Sequence, residues 1–323
     1  MNILAYFSAI GKCIIYGSTP FFTGSLSDNM DVLDLLSLRF LLSLLVLWLF
    51  KSVKLVKINI GGRDIFTKNE RTPHIKNLLL TALFEPVLYM LFETLGISMS
   101  SGVTTAVILS LSPVVYCICE FIFFRQYPSF LQGVFLTLGM IGAGYIAVCT
   151  SASGDESGLF GILFLILSLV VGGLFCVFSR KSSTHFSPLE ITYTSSLLGA
   201  VCFNAVNVVR HIINGSILHY FDPYFNLENL IGFIVLGVGS TILATMMSNY
   251  SLSKLKISTF SAFGGVSTVV TVLLGVLFAG ERLMYYHFIG FPFIIARMVG
   301  VSAIDIIKDR KESSLRGISV EKE

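Results

Sequence analysis

The stretch ALFEPVLYMLFE (Ala82–Glu93) places two carboxylates and a proline inside a run that is otherwise oily. Leu78–Leu83 lead into it and Thr94–Ile97 follow it. A soluble core helix rarely buries two unpaired acids, because an ionised carboxylate without partners is costly away from water. The composition of the whole chain explains the setting. Of 323 residues, 54% are hydrophobic and only 13% charged, and the mean hydropathy is +0.83. Soluble domains carry about a quarter charged residues, so this balance excludes an ordinary soluble enzyme and a disordered chain. The formal charge of +3 is too small to point to nucleic acid.

A helix needs about 20 mostly apolar residues to cross a bilayer core. Ten segments meet that description: Ile3–Thr23, Val32–Phe50, Lys76–Leu95, Val103–Phe124, Phe130–Val148, Leu159–Ser179, Leu189–Val209, Leu230–Tyr250, Ile257–Ala279 and Tyr285–Ile304. The chain therefore reads as an all-α integral membrane protein. The first segment has no basic leader and carries Lys12 at its centre, which argues against a signal peptide. Basic residues crowd one set of loops: Lys51, Lys54, Lys57, Arg63, Lys68, Arg71 and Lys76 after the second span, then Arg125, Arg180, Lys181, Lys254 and Lys256, and five more in the tail. The opposite loops hold only Arg210 and Arg282. The positive-inside rule then puts both termini in the cytoplasm.

The two halves resemble each other. LSPVVYCICEFIFFRQ (Leu111–Gln126) lies on VSTVVTVLLGVLFAGE (Val266–Glu281), matching Ser112, Val114, Val115 and Phe123 to Ser267, Val269, Val270 and Phe278. Five spans per half is an odd number, so the second unit enters the membrane upside down relative to the first. Such inverted repeats place a binding site near the bilayer midplane between the units. The expected division is residues 1–149 for the first unit, 150–158 for an outer linker, 159–306 for the second unit and 307–323 for a cytoplasmic tail.

Depth and face then single out a group of residues. Spans one and three run the same way, and their middles lie near Lys12 and near Glu85–Pro86. Side chains at i and i+4 share a helix face, so Tyr16 lies above Lys12, while Tyr89 and Glu93 continue upward from Glu85. A charge at the bilayer centre costs about 2.5–3.5 kcal/mol on the milder insertion scale, so these groups are expected to face the bundle interior. Lys12, Tyr16, Glu85, Tyr89 and Glu93 are the candidate central site. A zwitterion suits it, with its amine toward a carboxylate and its carboxylate toward Lys12. A fixed Lys12–Glu85 strut is the structural alternative. Glu93 and, with it, Glu85 are candidates to carry a coupling proton. Arg297 is a candidate to face an inner cavity. Pro86 and Gly264–Gly265 are candidate hinges, because each interrupts helix regularity or packing. Arg39 reads as a packing or snorkelling arginine near Asp34 or a helix end. Glu120 and Glu190 read as interfacial ion-pair partners, and Asn204 and Asn207 as interhelical bonds.

Tyr16–Gly17, Leu38–Arg39–Phe40, Ser112–Pro113–Val114–Val115, Gly280–Glu281–Arg282, Gly290 and Gly300, in this order, make the chain resemble the drug/metabolite transporter superfamily, of the EamA type with two five-helix units. The resemblance implies a secondary carrier of small metabolites in the bacterial inner membrane, often an exporter of amino acids or related amines. It departs from the family pattern at Phe124–Arg125–Gln126 and at Thr268. A channel or a multidrug or cation effluxer of the same fold is the nearest alternative. A membrane enzyme is the alternative of a different class. The five histidines form no metal-ligand pair, no P-loop or nucleophile elbow is present, and the six cysteines lack zinc or disulfide spacing. No cofactor, metal, ATP or nucleic acid is therefore expected. The expected partners are a small-molecule substrate, a proton and lipid.

Overall fold

The computed structural model describes residues 3–27, 30–53, 74–100, 105, 108–150, 159–278 and 284–320. The distal part of the basic loop after the second span, the outer linker and the Gly280–Arg282 turn lie outside the described residues. Among the described residues, ten helical segments of 13 residues or more follow in order. They are α1 (Ile3–Ser27), α2 (Val32–Ser52), α3 (residues 75–98), α4 (Ser112–Phe124), α5 (Phe130–Thr150), α6 (Leu159–Ser182), α7 (Pro188–Ile213), α8 (residues 227–254), α9 (Ile257–Phe278) and α10 (Tyr285–Val320). Seven of them (α2, α3 and α6–α10) are long and apolar enough to span a membrane, α4 and α5 are shorter apolar helices, and α1 is 25 residues long. The tenth helix runs on to Val320, so most of the expected tail is helical.

Two helices are irregular. In α3, Glu85 leaves the helical region (φ −135°, ψ 119°) between Ile75–Ala82 and Tyr89–Ser98. Pro86 supplies the cause, because proline pushes the preceding residue toward extended backbone and donates no N–H. In α8, the stretch Val235–Ala244 is underwound into wider, π-helical turns. Its small residues, Gly237, Gly239, Ser240 and Thr241, make that distortion cheap.

The packing has an approximate two-fold pattern. Helix α1 packs on α9 as α6 packs on α4, and α1 packs on α8 as α6 packs on α3. Helices α2 and α7, α4 and α9, and α5 and α10 meet their own counterparts. The two irregular helices, α3 and α8, are thus equivalent members of the two units. Many large side chains face outward, among them Leu45, Trp48, Ile122, Phe160, Leu163 and Phe288. In water such a surface would be an aggregation hazard; around a multi-pass bundle it is the surface that meets lipid.

Polar networks tie the helix ends together. At one end the buried Glu120 carboxylate accepts from the backbone N–H groups of Ile257 and Ser258 at 2.8 Å each and from Arg180 at 3.0 Å. It is therefore an N-terminal cap for α9 reached from α4, rather than only an interfacial ion pair. Beside it, Asp305 accepts from Gln132 (2.9 Å), Lys256 (3.3 Å) and Thr259. Glu190 forms a reciprocal capping box with Ser187. At the other end Asp34 accepts from Asn207 and bonds His211, and Arg210 pairs with Asp31. Asn204 donates to the carbonyls of Ser37 and Ala200. All six cysteines are free thiols.

Close helix approach at Gly17 is testable. A Cβ there would lie 2.7 Å from both the Ser267 carbonyl and the Val270 Cβ across the α1–α9 contact, whereas at Gly133 nothing lies within 4 Å. Gly17→Ala should cost about 1–3 kcal/mol and lower the thermal midpoint in detergent; Gly133→Ala should leave that midpoint unchanged or slightly raised.

Candidate functional site

The break in α3 and the wide turns of α8 meet at one small cavity. It is lined from α1 by Tyr16, from α2 by Arg39, from α3 by Glu85 and Pro86, from α7 by Ser195 and from α8 by Thr241 and Thr245, among others. Its volume is about 30 Å³, room for one or two waters. Irregular helices at matching places in two repeats point to a carrier's binding site.

Each side chain is positioned by its element. Tyr16 bonds the Thr245 hydroxyl at 3.1 Å across the α1–α8 contact. Arg39 donates from Nε to Thr241 (2.7 Å) and from Nη2 to Ser240 (3.0 Å). The Thr241 hydroxyl also donates to the Leu236 carbonyl at 2.9 Å, five residues back, which satisfies an acceptor left by the wide turn. Pro86 is buried, and a Cβ on Gly199 would stand 2.8 Å from its ring and from Phe40, so the bare glycine lets α7 close on the α3 break.

The five residues anticipated from sequence divide. Tyr16 and Glu85 border the cavity. Tyr89 and Glu93 lie on the next segment of α3, where the phenol donates to the Glu93 carboxylate at 2.8 Å. The backbone break at Glu85, just before Pro86, separates it from them, so the expected continuous i, i+4 ladder is interrupted there. Lys12 is buried, 6% exposed, and its ammonium lies 3.2 Å above the centre of the Phe260 ring. No carboxylate lies within ion-pairing distance of it among the described residues. Lys12 and Glu85 feel each other electrostatically, yet they form no direct strut. Lys12, Arg39 and Glu93 all lie within the electrostatic reach of Glu85.

Arg39 corrects its sequence reading. It neither snorkels nor pairs with Asp34, which is engaged by Asn207 and His211. It is 6% exposed and turned toward the hydroxyls of α8. Arg297 does not border this cavity. It fills a slot between Gly139 and Gly265, where a Cβ would strike its side chain at 2.3 and 2.5 Å, and its Nε donates to the Ala262 carbonyl at 3.1 Å. Gly265 therefore supplies space for Arg297, and α9 stays helical through Gly264 and Gly265. Ser195, Thr241 and Thr245 were not singled out from sequence. The Thr241–Thr245 spacing of four residues was the available signal, but hydroxyl residues are common in membrane helices and bond their own backbone.

A thiol at position 245 reports whether this cavity is wet. In a cysteine-free background, Thr245→Cys should react with a small charged methanethiosulfonate reagent, whereas Leu236→Cys, fully buried on the same helix, should not.

The model of the EamA-like transporter family matches the chain twice, over residues 3–148 and 159–303. The chain is 28% identical over 311 residues to the "Uncharacterized transporter YcxC" of Bacillus subtilis (strain 168), covering 96% of both chains. It is 24% identical over 211 residues to "Protein PecM" of Dickeya dadantii (strain 3937), covering 65% of this chain and 68% of that one. A solved crystal structure aligns with a TM-score of 0.71 over 93% of this chain and 98% of its own, at 13% identity, which speaks to the fold alone. With two matched units, a ten-helix apolar bundle and irregular helices meeting at its centre, this multi-pass membrane protein belongs to the EamA-like transporter family.

Proposed function

We propose that the chain is a secondary carrier that moves a small polar metabolite, such as an amino acid or a related amine, across the cell membrane by alternating access, in the export direction. The observation that carries this reading is the meeting of the α3 break and the wide turns of α8, on equivalent helices of the two units, at one cavity with charged and hydroxyl side chains. Irregular backbone at membrane depth is tolerated where it lines a cavity. At about 30 Å³ the cavity is smaller than such a substrate. In this reading the two units rearrange about it, enlarging it toward each side in turn, with both termini cytoplasmic as the loop charges favour. A gradient or exchange supplies the energy.

A channel needs a continuous polar path or filter. The centre here is a small site between polar networks at both helix ends, which favours a carrier. Saturable counterflow in proteoliposomes, driven by an internal pool of unlabelled amino acid, amine, sugar or nucleobase, is the expected result; unitary conductance in planar bilayers would overturn it. Glu85→Gln should lower the counterflow rate by at least about 10-fold, the loss of a charged interaction, and Lys12→Met should weaken it as well. Normal flux in both variants would reject this centre as the site.

Glu93, held by the Tyr89 hydroxyl and near Arg39, is the candidate proton carrier. Glu93→Gln should abolish uptake driven by an imposed pH gradient in inverted vesicles while sparing counterflow, which needs no net proton movement. Retained gradient-driven uptake would remove Glu93 from that role.

A further inference from the structure

We infer that the apolar groove between α2 and α7 is a binding site for one acyl chain of a membrane phospholipid, seated against the outside of one wall of the central cavity. The groove is separate from that cavity, and its test does not depend on the carrier reading above.

The groove holds about 420 Å³, within the ~300–1,000 Å³ of ordinary ligand pockets. Leu41 and Leu44 of α2 and Val201 and Val208 of α7 form its sides, and Ile217 and Phe221 of the α7–α8 connection form its roof. The polar side chains on it are already engaged. Tyr220 donates to Asn204 Oδ1 at 2.6 Å, and Asn204 Nδ2 donates to the Ser37 and Ala200 carbonyls. The surface left to a ligand is therefore almost wholly apolar. The Tyr220 bond also ties the roof to α7, and the Tyr224 hydroxyl ties it to α2 by donating to the Leu38 carbonyl. The site is thus formed before its ligand arrives.

The surroundings name the occupant. Both sides belong to helices long and apolar enough to span a membrane, and Val201 is 58% exposed, so the groove opens onto hydrocarbon. From Ala200 to Val208 it runs about 12 Å along α7 at ~1.5 Å per residue, most of the ~15 Å depth of one leaflet in a ~30 Å core. An acyl chain standing upright in that leaflet fits this length. The apolar surface continues past the roof, where Leu218 is 90% and Phe225 84% exposed, a hazard in water but suited to lipid. The exposed pairs Arg210–Asp31 and His219–Asp222 lie at the same end, at the level of a headgroup, which favours a phospholipid as the source of the tail. A second copy of this chain fits less well. A helix is ~10 Å across, and close helix contacts in membranes use small residues, whereas leucine and valine line these sides. Leu44 and Ala200 also belong to the cluster of Leu36, Phe40 and Phe203 behind the groove. Phe40 stacks on Phe203 with ring centres 5.4 Å apart and borders the central cavity, while a Ser43–Ser196 bond of 3.1 Å closes the α2–α7 seam. The lipid tail therefore backs this wall with dispersion contacts that an empty groove would forfeit.

The test is photolabelling of the full chain in liposomes containing a phosphatidylcholine with a diazirine in one acyl chain, with the labelled residues read by mass spectrometry. Labelling per exposed area should be at least about 5-fold higher on residues 41–44 and 200–208 than at Leu163 and Phe288, which face outward on α6 and α10. Val201→Trp puts an indole into the groove from its exposed side. It should lower groove labelling by about 5-fold or more and leave Leu163 and Phe288 unchanged. Val208→Trp, toward the roof, replaces it if that variant does not assemble, and the wild-type map decides alone if neither does. Labelling spread over all outward faces in proportion to exposure would overturn the site, as would groove labelling that neither tryptophan lowers. A disulfide-linked dimer formed through Val201→Cys in a cysteine-free background would overturn it by placing a second copy on this face. Preferential labelling of the groove by a diazirine-bearing free fatty acid over the phosphatidylcholine would overturn the phospholipid source.

Discussion

Hydrocarbon offers no hydrogen bonds, so a backbone break inside a membrane has to be sheltered by protein or water. Glu85–Pro86 imposes such a break on α3, and the architecture around it answers that constraint. Helix α7 closes on Pro86 through the bare Gly199, and α8 brings its own distorted stretch to the same place. There, threonine hydroxyls take up carbonyls the wide turns leave behind, Thr241 at Leu236 and Thr245 at Ser240. The pseudo-two-fold packing makes these irregular helices counterparts, so the shelter built for one is shared by the other.

The distribution of partners along the membrane normal follows the same logic. Toward the helix ends, carboxylates are saturated: Glu120 holds the first N–H groups of α9 and the Arg180 guanidinium, and Asp305 holds Gln132, Thr259 and Lys256. These networks fix how helices meet. In the middle, the buried Ser195 hydroxyl has no partner among the described residues and Lys12 rests on an aromatic face. Groups left short of partners bind what supplies them, whether water or substrate.

Small residues permit this arrangement. Gly17 lets α1 lie against α9, and Gly139 with Gly265 opens the slot that holds Arg297 away from lipid. Without a hydrophobic driving force between helices, such close contacts carry much of the association.

Hydropathy, loop charge and the internal match between Leu111–Gln126 and Val266–Glu281 determined from sequence alone the number of spans and the two-unit design. They also located Pro86 as a break beside an acid, because these are properties of position along the chain. The rotation of each helix and the identity of its neighbours came only from packing. That is why Arg39, read as a packing or snorkelling side chain near Asp34 or a helix end, proved to be held by α8. It is also why Lys12 met Phe260 instead of Glu85, why Glu120 became a cap for α9, and why Ser195 emerged as an unpaired hydroxyl at the centre. Sequence sets how deep a polar group lies in the bilayer; only the tertiary structure decides what it faces, because in lipid the partner of a buried charge comes from another helix, far away along the chain.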